Sequence, residues 1–235
     1  MSRSGSGPLR RLSPLWLVAI GTAIVVLLAV GVSANLTDGF DRAVIQAVRA
    51  DALATVLSPL RWITELGSTG AVTAVAVLTF LVGVLVGPWR HGLIGAITIG
   101  LASAGNEALK AFIARARPDL LDPLVVERGF SFPSGHSLLS MVAYGVLAVL
   151  ISRSRLPAGV RGGIEVALGI IIILVGLSRI WLGVHYPTDV LAGWTAGAVI
   201  VLVYARLTRS VSPEPAAAAV DADPAAPRSD PPATG

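Results

Sequence analysis

Residues 15–34 of the chain read LWLVAIGTAIVVLLAVGVSA, an unbroken run of 20 residues without a charged side chain. A helix needs about 20 apolar residues to cross about 30 Å of hydrocarbon. Five further apolar runs follow it, at about residues 70–86, 92–113, 137–151, 164–182 and 190–207. The pattern predicts an all-α fold, a polytopic membrane helical bundle with about six transmembrane helices.

The composition of the 235-residue chain supports this class and excludes others. Hydrophobic residues make up 54% of the chain and charged residues only 14%, whereas soluble domains are usually about 25% charged. These charges are too few for a water-soluble surface, a disordered protein or a coiled coil. The chain has no cysteine, which excludes disulfides, thiolate zinc sites and thiol catalysis. The net charge of +4 is small, and basic residues often mark cytoplasmic loops, so no nucleic-acid partner is expected.

The sequence outside the apolar runs divides into three segments. Residues 1–14 are polar and basic, and residues 210–235 are rich in proline and alanine. We therefore expect a cytoplasmic N-terminal segment, a membrane domain over 15–209 and a disordered cytoplasmic tail. Residues 36–66 predict an amphipathic outer segment, which either lies in the membrane interface or packs on the bundle. The first apolar run is too long for a signal-peptide core, so an uncleaved anchor is expected.

The distribution of basic residues predicts the orientation. Six crossings place both chain ends on one side of the membrane. With the N terminus inside, ten of the 18 basic residues lie in inner segments and eight in outer ones. Several of the outer cations belong to polar clusters, and the outer loops also carry most of the acidic residues. The positive-inside rule therefore favours a multi-pass plasma-membrane protein whose outer loops face the periplasm or cell exterior.

Three polar clusters interrupt the apolar sequence. They read KAFIARARP at 110–118, PSGH at 133–136 and SRIWLGVHYPTD at 178–189. The first ends the third predicted span, the second begins the fourth, and the third joins the fifth to the sixth. The 41 residues between the second and third clusters suffice for two crossings and a short loop. All three clusters are therefore expected at one membrane surface, the outer one in this topology.

The clusters bring together three cations: Lys110, which is the only lysine of the chain, Arg117 and Arg179. Cations at membrane depth are costly and usually functional, and three of them repel one another unless an anion lies between them. Arginine's planar fork and lysine's point charge both suit phosphate oxygens. Ser134 and Gly135, at a helix start, would add a hydroxyl and backbone N–H groups. The pattern predicts a phosphate-binding site.

Two histidines in the clusters have complementary positions. His185 precedes Asp189 by four residues, which places both on one face if the chain is helical there. A carboxylate at one ring nitrogen fixes the tautomer and leaves the other nitrogen free as a nucleophile. His136 has no assigned carboxylate and suits a general acid that protonates a leaving alkoxide. These residues could instead bind zinc, but three neighbouring cations oppose a divalent ion, so no metal is expected.

Two charged residues near the first cluster are interpreted as lying outside the chemistry. Glu107 precedes Lys110 by three residues and is expected to be its structural partner rather than a catalytic group. Arg115 is expected to be a cation exposed to solvent or to lipid headgroups.

Lys-x6-Arg-Pro, Pro-Ser-Gly-His and Ser-Arg-x5-His-x3-Asp together resemble the three-part signature of the type-2 phosphatidic acid phosphatase superfamily. This superfamily comprises lipid phosphate phosphatases and vanadium haloperoxidases, and the motifs match in full and in order across residues 110–189. The resemblance implies a metal-independent phosphatase of the membrane-bound bacterial branch, with no cofactor. His185 would attack phosphorus to form phosphohistidine, Asp189 would hold its ring, and His136 would protonate the leaving group. The phosphoryl oxygens would be held by Lys110, Arg117, Ser134, Gly135 and Arg179.

The resemblance leaves the substrate open. A site where membrane spans meet water favours a lipid phosphate or pyrophosphate, such as undecaprenyl pyrophosphate, phosphatidic acid or phosphatidylglycerol phosphate. The alternatives are a phosphotransferase to another lipid alcohol, a phosphatase of a non-lipid phosphoester and a non-enzymatic lipid transporter. The expected partners are the lipid substrate and membrane lipids, and no oligomeric state is indicated.

Overall fold

The computed structural model of the protein describes residues 14–50, 54–86, 88–119 and 127–210. Within these ranges the chain is all-helical, which confirms the predicted fold class. The eight helices of the described ranges are α1 Pro14–Ser33, α2 Asp38–Ala50, α3 Ala54–Glu65, α4 Thr69–Val86, α5 Trp89–Ile113, α6 Gly135–Ser152, α7 Ala158–Trp181 and α8 Pro187–Ser210. The expected N-terminal segment and C-terminal tail lie, apart from Pro14 and Ser210, outside the described residues.

The helices account for the predicted membrane spans. Within the described ranges, α1, α5, α6, α7 and α8 are each long and apolar enough to cross a membrane. Pro59–Glu65 of α3 and Thr69–Leu85 of α4 meet at 47°, and they make a sixth candidate span if this bent pair counts as one element. Large apolar side chains on the outside of the bundle are exposed, and Leu101 of α5, for example, is 68% exposed. Such a surface suits hydrocarbon rather than water.

Helix α6 forms the centre of the bundle. It packs against α4, α5, α7 and α8, and Val142, Ala143 and Val146 on it are fully buried. Helix α1, by contrast, packs on α8 at the edge, and only 6% of its span is buried. Because α6 is surrounded on all sides, its first turn at the end of the bundle is held firmly between its neighbours.

Helices α6 and α8 approach closely at Gly193. A Cβ at this position would lie 2.7 Å from the carbonyl oxygen of Ser134 and 3.0 Å from Cβ of Ser137. Any side chain there would push the two helices apart. The contact places the second turn of α8 beside the start of α6, so the second and third polar clusters become neighbours.

The segment over residues 36–66 contains two helices, α2 and α3. Helix α2 contacts α7 and α8, and its Ile45 is 2% exposed and packs with Ile180 and Val190. Leu60 of α3 packs with Leu182. Both helices therefore lie against the turn that joins α7 to α8 and carries the third polar cluster.

Candidate active site

The three polar clusters meet at one end of the bundle. Helix α5 ends there at Ile113, α6 begins there, and α7 and α8 are joined there by residues 182–186. Contacts among these segments bring together the predicted site residues, which are Lys110, Arg117, Ser134, Gly135, His136, Arg179, His185 and Asp189.

The start of α6 is tied to both of its neighbours. Ser134 Oγ accepts the N–H of Ser137 at 3.4 Å and so caps the helix, and the N–H of Ser134 donates to the carbonyl of Asp189 at 3.0 Å. Gly135 lies close to α5, so that a Cβ there would stand 3.7 Å from Cε of Lys110. The first turn of α6 and the side chain of Lys110 are therefore neighbours. A helix N terminus beside a lysine attracts anions.

The three cations are anchored by neutral oxygens. Nη1 of Arg117 donates to the carbonyl of Val184 at 2.9 Å. Arg179 is 1% exposed and donates to the hydroxyl of Thr64, and Lys110 Nζ donates to a loop carbonyl at 3.2 Å. Because a neutral oxygen does not cancel a positive charge, these contacts orient the cations and leave them attractive to an anion.

An internal carboxylate lies between two of the cations. Glu127 forms ion pairs with Arg179 and with Nη1 of Arg117, the latter at 3.0 Å. Its Oε2 stands 4.0 Å from Nε2 of His185. Glu127 is not predicted by the sequence pattern, because it lies between the first two motifs without any spacing signal. The Glu127 carboxylate thus occupies an anion-binding position between Arg117, Arg179 and Nε2 of His185, which we call the anion seat.

His185 has its two ring nitrogens in different surroundings. Nε2 lies 3.1 Å from Nη1 of Arg117; a guanidinium only donates, so this nitrogen accepts and Nδ1 carries the hydrogen. Nδ1 lies 3.5 Å from Oδ2 of Asp189. Burial, followed by the charges of Arg179, Arg117 and the other nearby cationic groups, lowers the pKa of His185 well below its ordinary value. The ring therefore stays neutral at physiological pH, and its Nε2 lone pair accepts from Arg117 beside the Glu127 carboxylate.

His136 occupies the first turn of α6 and is partly buried. It packs against the turn between α3 and α4, where a Cβ at Gly67 would lie 3.1 Å from its ring carbon Cδ2. Ser134, two residues before it, donates its N–H to the carbonyl of Asp189 in the segment that carries His185. The second histidine is therefore a neighbour of the first on the same side of the bundle.

Arg115 contradicts the prediction of a solvated or lipid-facing cation. Its side chain is only 8% exposed and forms ion pairs at 2.7 Å with Asp41 and with Asp189. Its guanidinium also lies 4.1 Å from the centroid of the Tyr186 ring. The prediction was wrong because two buried carboxylates, one of them on α2, draw the guanidinium inward, and the first motif alone does not reveal them.

Glu107 and Lys110 have different hydrogen-bond partners. Oε1 of Glu107 accepts from the side-chain amide of Asn106 at 3.0 Å, whereas Lys110 donates to the carbonyl of Phe130. The predicted pairing of Glu107 with Lys110 is therefore not seen as a hydrogen bond between these two described side chains.

The part of the chain that forms this site matches a known family. Residues 91–212 match the PAP2 superfamily. The chain therefore belongs to the PAP2 superfamily, in its membrane-bound bacterial branch, as the three motifs predicted. It is a multi-pass membrane protein and a phosphatase of this family.

Individual relatives agree with this assignment. Phosphatidylglycerophosphatase B of Bacillus subtilis (strain 168) is 34% identical over 183 residues, which cover 74% of this chain and 86% of the relative. A crystal structure described as the first transmembrane PAP2 type phosphatidylglycerolphosphate phosphatase from Bacillus subtilis is similar, with a TM-score of 0.76 and 29% identity, over 85% of this chain and 98% of its own. Aquifex aeolicus LpxE shares the fold at a TM-score of 0.56 and 20% identity, over 71% of this chain and 95% of its own.

Proposed function

We propose that this protein is an integral membrane lipid phosphate phosphatase that hydrolyses a phosphomonoester or a pyrophosphate through a phosphohistidine intermediate. The observation that carries the proposal is the anion seat. A carboxylate held by Arg117 and Arg179 stands 4.0 Å from Nε2 of the buried, neutral His185. A phosphoryl group in place of the Glu127 carboxylate would present its phosphorus to that nitrogen.

In the first step, the phosphoryl oxygens accept the N–H of Arg117 that Nε2 of His185 held. The freed Nε2 lone pair attacks the phosphorus, and the bond to the leaving oxygen breaks. Asp189 balances the positive charge that develops on the ring and holds it through Nδ1, as the carboxylate does for the histidine of a serine protease. His136 gives its proton to the leaving alkoxide or phosphate. The products of this step are the free lipid alcohol or lipid monophosphate and phosphorylated His185.

In the second step, water replaces the lipid product. His136, now neutral, takes a proton from the water as the oxygen attacks the phosphorus. The bond between phosphorus and His185 Nε2 breaks, inorganic phosphate leaves, and both histidines return to their starting states. Together the two steps break one ester or pyrophosphate bond, consume one water molecule and release the lipid product and inorganic phosphate.

The three cations and the start of α6 would stabilise the transition state. Charge accumulates on the equatorial oxygens during phosphoryl transfer, and donors fixed before the reaction stabilise it without reorganisation. Lys110, Arg117 and Arg179 supply three positive charges at the seat, with Ser134 and Gly135 at the adjoining helix start. We propose that these charges replace the metal ions of other phosphoryl-transfer enzymes.

Two observations support a lipid substrate. An apolar cavity of about 480 Å³ between α5, α6 and α8 extends along the bundle to Asn106 and Leu109, beside Lys110. An acyl or prenyl chain could lie there while its phosphate reaches the anion seat. The relative that is 34% identical bears the name phosphatidylglycerophosphatase B, so phosphatidylglycerol phosphate is the first candidate. Undecaprenyl pyrophosphate and phosphatidic acid share its phosphate chemistry.

The orientation belongs to the proposal as well. We infer that the site faces the periplasm or cell exterior and that residues 1–14 and 210–235 flank the phosphatase domain at 15–209 on the cytoplasmic side. The inner segments hold ten of the 18 basic residues. Lys110, Arg117 and Arg179 among the outer eight serve the anion seat, which leaves the positive-inside signal on the inner side.

The proposal is tested by phosphate release from purified protein in detergent. Phosphatidylglycerol phosphate, phosphatidic acid and undecaprenyl pyrophosphate are compared for wild type, His185→Ala and His91→Gln, all in EDTA. We expect wild type and His91→Gln to release phosphate, because His91 lies at the opposite end of α5. Loss of the nucleophile in His185→Ala should lower kcat by at least about 10³-fold.

Two results would contradict parts of the proposal. Phosphate release from none of the three lipids would contradict a lipid phosphatase. Complete loss of activity in EDTA with recovery on addition of a divalent ion would contradict the metal-independent mechanism. A phosphotransferase is distinguished by adding a second lipid alcohol and identifying phosphorylated products by mass spectrometry.

A further inference from the structure

Arg115 joins two buried carboxylates that belong to different helices. Its Nη1 donates to Oδ1 of Asp189 at 2.7 Å and to Oγ1 of Thr188 at 2.9 Å. Its Nη2 donates to Oδ2 of Asp41 at 2.7 Å. Although burial lowers it, these carboxylates raise the pKa of Arg115 above its ordinary value. The guanidinium is therefore a fixed positive charge between the two carboxylates.

Asp41 is bound on both of its oxygens. It is fully buried, and besides Arg115 it accepts the N–H of Thr188 at 3.1 Å and the hydroxyl of Thr188 at 2.6 Å. A buried carboxylate persists only when it is paired and hydrogen-bonded. Asp41 therefore fixes Arg115 and, at the same time, the backbone one residue before Asp189.

These contacts assign separate tasks to the two oxygens of Asp189. Oδ1 accepts Arg115, whereas Oδ2 accepts the N–H of Tyr186 at 2.9 Å and faces Nδ1 of His185 at 3.5 Å. An arginine fork that engages two carboxylates fixes direction as well as charge. If Asp41 did not hold Nη2, the whole fork could turn onto Asp189 and draw that carboxylate away from the histidine.

We propose that Arg115 and Asp41 are positioning residues for the reaction, in which Asp41 holds Arg115, Arg115 holds Asp189, and Asp189 holds the nucleophilic ring of His185. The inference rests on the proposed function. It extends the site from the motif residues to α2, a helix outside the three motifs. Neither residue touches the anion seat, so their removal acts on the rate of the chemical step and not on phosphate binding.

The experiment compares Asp41→Asn with Asp38→Asn in the purified full-length protein. Both substitutions remove one carboxylate charge from α2 near the same Nη2, but Asp38 is partly exposed and its oxygen lies 3.5 Å away. For Asp41→Asn we expect kcat to fall about 10- to 100-fold, the range for outer groups that orient a histidine. KM and the inhibition constant of inorganic phosphate should stay within about twofold of wild type. Asp38→Asn should leave all three constants near wild type.

Arg115→Lys provides a second variant, because a single ammonium keeps the charge but cannot bridge two carboxylates. The ¹⁵N chemical shifts of the His185 imidazole report the surroundings of each ring nitrogen without any turnover. In both variants we expect the Nδ1 shift to move, because Asp189 no longer faces it, while Nε2 still accepts from Arg117. An inactive wild type would contradict the proposed function, and the spectra would still decide the positioning role. A kcat within twofold of wild type in Asp41→Asn and Arg115→Lys, an unchanged His185 Nδ1 shift, or a phosphate inhibition constant that rises along with the loss of kcat would overturn the inference.

Discussion

At the scale of single residues, Glu127 occupies the place that the proposed mechanism gives to a phosphoryl group. It neutralises Arg117 and Arg179, which would otherwise repel each other in a poorly solvated site. A substrate must displace this carboxylate before its phosphorus can reach His185. The internal ion pairs therefore hold the two arginines in place and compete with substrate binding.

Glu127→Gln should strengthen phosphate binding. The amide keeps the size of the side chain but loses the charge, so the competing charge-assisted hydrogen bonds weaken. We expect the inhibition constant of inorganic phosphate and the KM for substrate to fall about three- to tenfold, with kcat little changed. Asp119→Asn, which removes an exposed carboxylate just after the first motif, is the matched control. A higher phosphate inhibition constant in Glu127→Gln would contradict a competing role.

The motif residues could be predicted from the sequence, whereas their supporting residues could not. Lys110, Arg117 and His185 were identifiable because cations and histidines are rare in apolar sequence and recurred near span ends. The pairing of Arg115 with Asp41 joins residues 74 positions apart. Such a contact depends on how α2 packs against α8, and neither the composition nor the periodicity of α2 encodes that packing.

At the scale of helices, hydrophobicity predicted where the chain crosses the membrane better than where each helix begins. The run predicted at 164–182 belongs to α7, which already begins at Ala158. Residues 158–163 contain Arg161 and three glycines, and apolarity reports membrane depth rather than helix length. The same reasoning accounts for α5, which begins at Trp89 before the run at 92–113.

The hydrophobic pattern of the sequence does not predict that α3 and α4 form one bent element. The apolar pattern predicts a span at residues 70–86 alone and a separate amphipathic segment at residues 36–66. Residues 59–65 and 69–85 nevertheless satisfy the length and hydropathy of a span together, across a 47° bend. The consequence for the site is that Thr64, at the end of α3, can reach Arg179.

At the scale of the whole molecule, the site residues lie at one end of the bundle and the α6–α7 turn lies at the other. The proposed topology places the first end outside the cell and the second in the cytoplasm. A chain without native cysteine makes this arrangement directly measurable, because a single introduced thiol reports its own side of the membrane.

Single-cysteine labelling should therefore distinguish the two ends. A membrane-impermeant maleimide applied to intact cells is expected to label Asp119→Cys, beside the site, and to leave Arg155→Cys, in the exposed α6–α7 turn, unlabelled. Both variants should react after permeabilisation, which controls for burial of the thiol. Labelling of Arg155→Cys alone in intact cells would place the site in the cytoplasm and contradict the proposed orientation.

The proposed mechanism requires that His185 becomes phosphorylated during turnover. A rapid alkaline quench of the purified protein, with phosphatidylglycerol phosphate or phosphatidic acid labelled with ³²P in the terminal phosphate, followed by peptide mapping, tests this step. We expect an acid-labile, alkali-stable label on the peptide that contains His185, absent from His185→Ala. Phosphate release without a labelled intermediate, or with the label on His136, would contradict it.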